Sequence, residues 1–304
     1  MRPIGGYLEL ESGSRPLYHK GAYLNSGRNA LRLVIRSHGI RRLHVPSYTC
    51  ATVFDAIAAE NCEVVQYELD ENLMPTRQFD ASDYIVYNNY FGVCGQKVAA
   101  MAARYPNLIV DNAQAFYAKP CGLASIYSPR KFFGLPDGGI AVGEGLVADD
   151  LPIDVSYERV SHLLKRIDLG PEAAYEDFRA NSEMLAQAPV AQMSRLTKAM
   201  MTTLDYELVA QKRKSNFMYL HTVLNSSFPF SFSEDDVPLV YPYITDDSTL
   251  RMRLIGNKIF AAKYWPNLIR TADSIANRIL AMPIDQRYED GDMERIAKCV
   301  REFS

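Results

Sequence analysis

Leu108-Ile109-Val110-Asp111-Asn112-Ala113-Gln114-Ala115 and, further on, Ser128-Pro129-Arg130-Lys131-Phe132-Phe133-Gly134-Leu135-Pro136-Asp137-Gly138-Gly139 are the stretches that decide how this 304-residue chain is read. The first is an apolar run closed by a carboxylate. In open parallel sheets ligands bind beyond the carboxyl ends of the strands, so an aspartate there is aimed at the crevice. Aspartate after a strand is also a common helix N-cap, and both readings stand for Asp111. The second stretch sets a lysine before two phenylalanines and a glycine-rich turn. An amine so placed can be desolvated, which lowers its pKa and exposes a neutral nucleophile. The alternative for Lys131 is a surface loop, the usual place for lysine.

Working outward, strand-like and helix-like segments alternate through the first half. Helical spacing covers 29–37, 51–59 and 98–104; strand patterns cover 43–46, 64–69, 84–87, 108–110 and 140–142. Such alternation with short links predicts an α/β fold with a mostly parallel central sheet covered by helices on both faces. From about Val155 to Leu224 the pattern is helical, with breaks at Gly170-Pro171 and Pro189. The stretch 228–242, rich in Phe, Pro and Tyr, marks a boundary, and an amphipathic helix is expected from Asp290 to Phe303. This divides the chain into a large domain with a helical extension (1–225) and a small C-terminal α+β domain (226–304).

Nearly half the residues are apolar, enough for a sizeable core, and the formal net charge is -3. No basic excess or motif points to nucleic acid. The five cysteines are scattered without a C-x-x-C pair, which fits a reducing compartment better than a disulfide framework or zinc site. No run approaches the ~20 apolar residues of a membrane span, and the N-terminus lacks the apolar stretch of a signal peptide. A cytoplasmic protein is the expectation. The five histidines are isolated in the sequence, so no metal is expected.

A third segment, Asn25-Ser26-Gly27-Arg28-Asn29-Ala30-Leu31, opens the first helix. A Ser-Gly turn at a helix N-terminus offers backbone N–H groups and a positive dipole end to an anion, commonly phosphate, and Arg28 adds a possible charged clamp. It can equally be an ordinary helix cap. An anion site, a strand-end carboxylate and a lysine are what pyridoxal 5'-phosphate (PLP) requires: a holder for its phosphate, a partner for its pyridine nitrogen, and an amine for its aldehyde.

These segments resemble the DegT/DnrJ/EryC1/StrS family of PLP-dependent sugar aminotransferases. Ser26 to Leu31 is similar to the family's Ser-Gly-Thr-x-Ala-Leu, Val45 to Thr49 to its Val-Pro-x-x-Thr, and Asp111 to Ala115 to its Asp-x-Ala-Gln-x. Ser128 to Lys131 with Gly138-Gly139 resembles its lysine followed by a double glycine, and Leu280 to Ile284 its closing strand. The resemblance implies the aspartate-aminotransferase fold (fold type I) and transfer of an amino group, with glutamate as donor and a nucleotide-linked keto-sugar as acceptor. It implies Lys131 as the cofactor lysine, Asp111 at the pyridine nitrogen, and Gln114 near the ring hydroxyl. Ser26, Gly27, Arg28 and Ser128 or Ser125 would hold the phosphate. The chain departs from the family at Arg28, where threonine is usual, and at Cys50, where an aromatic ring commonly stacks on the cofactor; Tyr48 or Tyr90 are the candidates to replace it. The resemblance also implies a homodimer with sites at the subunit interface. Tyr87 to Phe91 and Phe228 to Tyr243 read either as contact surface or as core.

Other readings are weaker. Ser128-x-x-Lys131 matches a motif of penicillin-recognising serine hydrolases, but neither of its companion motifs follows. Gly-x-Gly-x-x-Gly and P-loop patterns are absent. A PLP-dependent sugar dehydratase and a PLP-fold binding or scaffold protein remain as alternatives. The family's dehydratases characteristically replace the lysine by histidine, so Lys131 favours transamination. The methionines at 184, 193, 200 and 201 read as core filler before they read as a partner groove.

Overall fold

The computed structural model describes residues 8–224, 232–265 and 275–303. The chain runs β1 (Ala22–Leu24), α1 (Gly27–Ser37), β2 (Arg42–Pro46), α2 (Ala51–Ala58), β3 (Glu63–Tyr67), β4 (Ile85–Asn88), α3 (Gly95–Arg104), β5 (Leu108–Asn112), β6 (Ala124–Tyr127) and β7 (Gly139–Gly143). Helices α4 (Ser161–Asp168), α5 (Pro171–Gln187), α6 (Arg195–Met201) and α7 (Tyr206–Leu224) follow. The remainder is β8 (Val240–Ile244), α8 (Leu250–Gly256), α9 (Ile275–Arg278), β9 (Ile279–Pro283) and α10 (Asp290–Phe303).

The first seven strands form one sheet in the order β1-β7-β6-β5-β4-β2-β3. Strands β2 to β6 pair in parallel, and β7 runs antiparallel to both its neighbours. The expected strands and helices of the first half are present, with edges moved by a few residues. Two short strands, β1 and β6, were not expected. The helix breaks at Gly170-Pro171 and near Pro189 are found: Gly170 takes φ 89° just before α5, and α5 stops at Gln187. The terminal helix spans the expected residues.

Alternation along each strand sends side chains to opposite faces, and both faces are apolar. In β5, Ile109 joins Leu31, Val34, Val53 and Ile57 of α1 and α2, whereas Leu108 and Val110 join Val98, Met101 and Phe217 of α3 and α7. A sheet covered on both sides needs such continuous apolar strands. The second of these clusters extends past residue 225: Tyr241, Met282, Met293, Ile296 and Val300, from β8, β9 and α10, belong to it. Tyr87, Tyr90 and Phe91 are fully buried in this cluster, so the contact-surface reading of Tyr87 to Phe91 is corrected to core. Of the second aromatic stretch, Tyr241 is fully buried and Phe228 to Phe230 lie outside the described residues.

The double glycine has a steric cause. Gly138 donates its N–H to the Asn25 carbonyl at 2.9 Å, and Gly139 pairs with Leu24. A Cβ on Gly139 would stand 2.0 Å from the Ser26 carbonyl oxygen and 2.5 Å from the Gly27 nitrogen. The contacting atoms are backbone and cannot rotate away. Gly139→Ala is therefore expected to destabilise the protein by about 3 kcal/mol or more, at or above the upper end of ordinary overpacking. Gly291→Ala, on an open face of α10 with nothing within 4 Å, is expected to be neutral or mildly stabilising. Urea unfolding of the two variants measures the difference.

Candidate cofactor site

The carboxyl ends of β5 and β6 meet the N-terminus of α1 at a pocket of 270 Å3. Its wall includes Ser26, Gly27 and Arg28 from the start of α1, Asp111 and Ala113 from the end of β5, and Ser128, Arg130 and Lys131 from the turn after β6. The register explains the convergence: Asn88, Asp111 and Ile126 stand side by side on three parallel strands, so one end of the sheet delivers both chemical segments.

Ser26 caps α1, its hydroxyl accepting the Asn29 N–H at 3.1 Å. The cap and the site are thus the same structure. The 11-residue helix still directs the positive end of its dipole at the pocket. Gly27 lies against Ser128: a Cβ there would be 3.5 Å from the Ser128 Cβ and 3.8 Å from its Oγ.

No helix follows Asp111. Its Oδ1 accepts the Ala113 N–H at 2.8 Å in an Asx turn, which removes the helix-cap reading. Burial pushes the Asp111 carboxyl above its ordinary pKa; the charge of Lys131 and the Ala113 N–H oppose that rise. Lys131 ends a 3-10 turn, Pro129–Lys131, that points it outward while Phe132 and Phe133 turn into the core at 2% and 4% exposure. The expected desolvation between aromatic rings is therefore not found: the phenylalanines are buried and the lysine is exposed. Among the described residues its amine has no hydrogen-bond or ion-pair partner within 4 Å.

The other candidates lie further back. Gln114 is buried, its Oε1 accepting the Phe91 N–H at 2.6 Å where Phe91 takes φ 58°; among the described residues its Nε2 has no partner. Ser125 is enclosed in β6, its hydroxyl bonded to the backbone of Cys121. Tyr48 and Tyr90 stack on each other at 5.5 Å, and the Tyr90 hydroxyl donates to the Tyr48 carbonyl. Neither ring lines the pocket, whereas Cys50 does. Ser26, Gly27, Arg28, Asp111, Ser128 and Lys131 are brought together; Gln114, Ser125, Tyr48 and Tyr90 are not on the same wall.

Arg130 was missed in the sequence, although it adjoins the lysine. Burial pushes its guanidinium down to about 10, helped by Arg159 and opposed by Asp137, so it remains charged at neutral pH. Among the described residues its Nε is buried without a partner, as is the Nε of Arg28, whose outer nitrogen is 3.8 Å from Asp55. A buried cation with unmet donors favours an anion beside it. Behind it, fully buried Asp137 lies 3.5 Å from Arg159, and Asn181 of α5 donates to the Pro136 carbonyl at 2.8 Å, which holds the loop.

The fold has counterparts among solved structures. The chain is similar to DesV of S. venezuelae, solved in complex with a ketimine intermediate, at 18% identity and a TM-score of 0.63 over 93% of this chain and 84% of that one. It is similar to a DegT DnrJ EryC1 StrS aminotransferase from Brucella abortus at 16% identity and 0.58, covering 94% and 86%. It is also similar to Spr1654 of Streptococcus pneumoniae, assigned as a sugar aminotransferase, in its PLP form, at 12% identity and 0.60, covering 93% and 86%. No family model and no curated protein matches the sequence. Identities of this size establish the fold, which is that of the PLP-dependent aminotransferases. Among the described residues no helix is long and apolar enough to cross a membrane, and no group of three or more His, Cys, Asp or Glu could hold a metal ion.

The Asp111 environment has a measurable consequence. A carboxyl whose folded pKa is raised disfavours folding once pH passes above its unfolded pKa, and the full cost is present above the folded value. Asn at this position keeps an oxygen for the Ala113 N–H and carries no charge. In protein without cofactor, Asp111→Asn is therefore expected to raise the melting temperature at pH 7, with the gain shrinking as pH falls towards 3.8. Thermal melts across that range test it.

Proposed function

We propose that the protein is a PLP-dependent aminotransferase acting on a sugar, with glutamate as amino donor and a nucleotide-linked keto-sugar as acceptor. One observation carries the reading: a single pocket holds a lysine unpartnered among the described residues, a carboxylate at a strand end and a cluster of anion-seeking groups at a helix N-terminus. The sugar aminotransferases among the fold's counterparts support the substrate class.

The residues fit the cofactor on their own chemistry. Arg28 and Arg130 have buried Nε groups without partners, and with Ser26, Gly27 and Ser128 they would hold the phosphate. Asp111, raised in pKa by burial, gains a counter-cation in a protonated ring nitrogen and would keep that nitrogen charged. Lys131 would hold the aldehyde carbon covalently and, when its amine is free, accept and return the proton of the amino donor. When bound, PLP supplies the electron sink that makes this proton removable. Leu31, Val53, Ile126 and Cys50 on the pocket wall would exclude water from the ring.

The proposal includes a homodimer. Lys131 is exposed, and the packed pair α4–α5 leaves Leu169 and Tyr175 exposed. A second copy over this surface would cover both. Sedimentation at low micromolar concentration is expected to give a dimer; a monomer that takes up PLP and turns over refutes the shared site.

The test of the reaction is the half-reaction with glutamate. PLP-loaded protein is expected to release one equivalent of 2-oxoglutarate, and Lys131→Ala none. Asp111→Asn is expected to be slower by about tenfold to a hundredfold, the worth of one charge-assisted hydrogen bond of about 1.5–3 kcal/mol. Equal rates in wild type and Asp111→Asn would remove the role assigned to Asp111. Failure of every common amino acid to react would favour a binding or scaffold role.

A further inference from the structure

A second cavity, of 540 Å3, shares Arg130 and Lys131 with the pocket described above and extends towards α4, α5 and the turn after β9. Five cations line it, Arg130, Lys131, Arg166, Arg213 and Arg287, against one carboxylate, Asp285. The chain as a whole carries a net charge of -3, so this excess is local.

Two of these cations are already committed. Arg213 is buried over the Phe132 ring at 4.6 Å and donates to the carbonyls of Leu239, Pro238 and Phe132 and to Gln286. Arg287 grips Asp285 through two bonds of 2.6 and 2.8 Å, which uses the one acid among the described lining residues. Arg166, near the end of α4, has no hydrogen-bond or ion-pair partner within 4 Å among the described residues. The facing wall is apolar, built from Leu163, Leu164, Ile167, Phe178 and Phe133.

We infer that this cavity is a substrate subsite, in which Arg166 receives a phosphate or carboxylate group while the apolar wall takes the body that carries it. The inference rests on the function proposed above and locates where its substrate's anionic group docks. A cationic ligand would be repelled by the excess of positive charge on the lining. A neutral ligand would desolvate Arg166 without replacing its water, at a cost. An anion answers both, and the planar fork of arginine suits either oxyanion.

Arg166 lines this cavity and not the cofactor pocket, so it separates the two sites. Calorimetric titrations with pyrophosphate and with glutarate are made on the wild type, Arg166→Gln and Arg166→Lys, each with and without PLP, and cofactor absorbance is recorded alongside. At least one anion is expected to bind, with Kd about tenfold higher in Arg166→Gln, the loss of one charge-assisted bond, and largely recovered in Arg166→Lys. Preference for pyrophosphate identifies a phosphate-bearing substrate, and preference for glutarate a carboxylate-bearing one. Equal Kd values in wild type and Arg166→Gln, or no binding of either anion, overturn the inference. So does an Arg166→Gln variant whose sedimentation changes while its anion binding does not, because the cations then serve a subunit contact. Absence of PLP uptake counts against the proposed function, and the cofactor-free titration still decides the subsite.

Discussion

The backbone of Gly139 lies against the start of α1 at Ser26 and Gly27, closer than any side chain would permit, and the site depends on that approach. It brings the one antiparallel strand beside β6 up to the helix N-terminus. The helix start is held from the other direction as well. The Asn29 amide bonds the Asn25 side chain at 2.7 Å and the Pro189 carbonyl at 2.9 Å, tying α1 to the segment after α5. The positive end of a helix, the turn bearing Lys131 and the end of β5 are thereby fixed relative to one another by rigid elements, which is what a pre-organised site requires.

The charges at the site are unbalanced, and the imbalance has a direction. Asp111 is raised in pKa by burial and keeps one backbone bond, so a cation beside it would be welcome. Arg28 and Arg130 carry buried donors with nothing to bond, so an anion beside them would be welcome. A ligand with a cationic ring nitrogen at one end and a phosphate at the other satisfies both. Natural sequences accept such local cost mainly at functional sites. The second cavity repeats the logic with Arg166, at the surface rather than in the interior.

Much of the fold is legible because its segments are long or strongly patterned. Leu108 to Val110 is an unbroken apolar run, and Asp290 to Phe303 shows its helix by apolar spacing and acidic start. Strand β1 opens on Ala22 and β6 on Ala124-Ser125, so neither presents the unbroken run of large apolar residues that marks β5. The placement of Lys131 was legible as a motif but not as an environment. Whether a residue between Arg130 and Phe132 faces solvent depends on where a single 3-10 turn begins and ends, and no pattern in the sequence encodes it. Tyr90 and Tyr48 failed as wall residues for a related reason: their rings are held in the core by each other, a tertiary contact between segments 42 residues apart. Arg130 could have been noticed, since a second cation beside a candidate cofactor lysine is itself an anion signal.

The central claim is that Lys131 is the residue that binds the cofactor covalently. Addition of PLP, reduction with borohydride and peptide mass mapping test it directly. The account predicts a single phosphopyridoxyl modification, on the peptide containing Lys131, that is absent from Lys131→Ala. Modification of a different lysine, or none under conditions that saturate the protein with PLP, would contradict it.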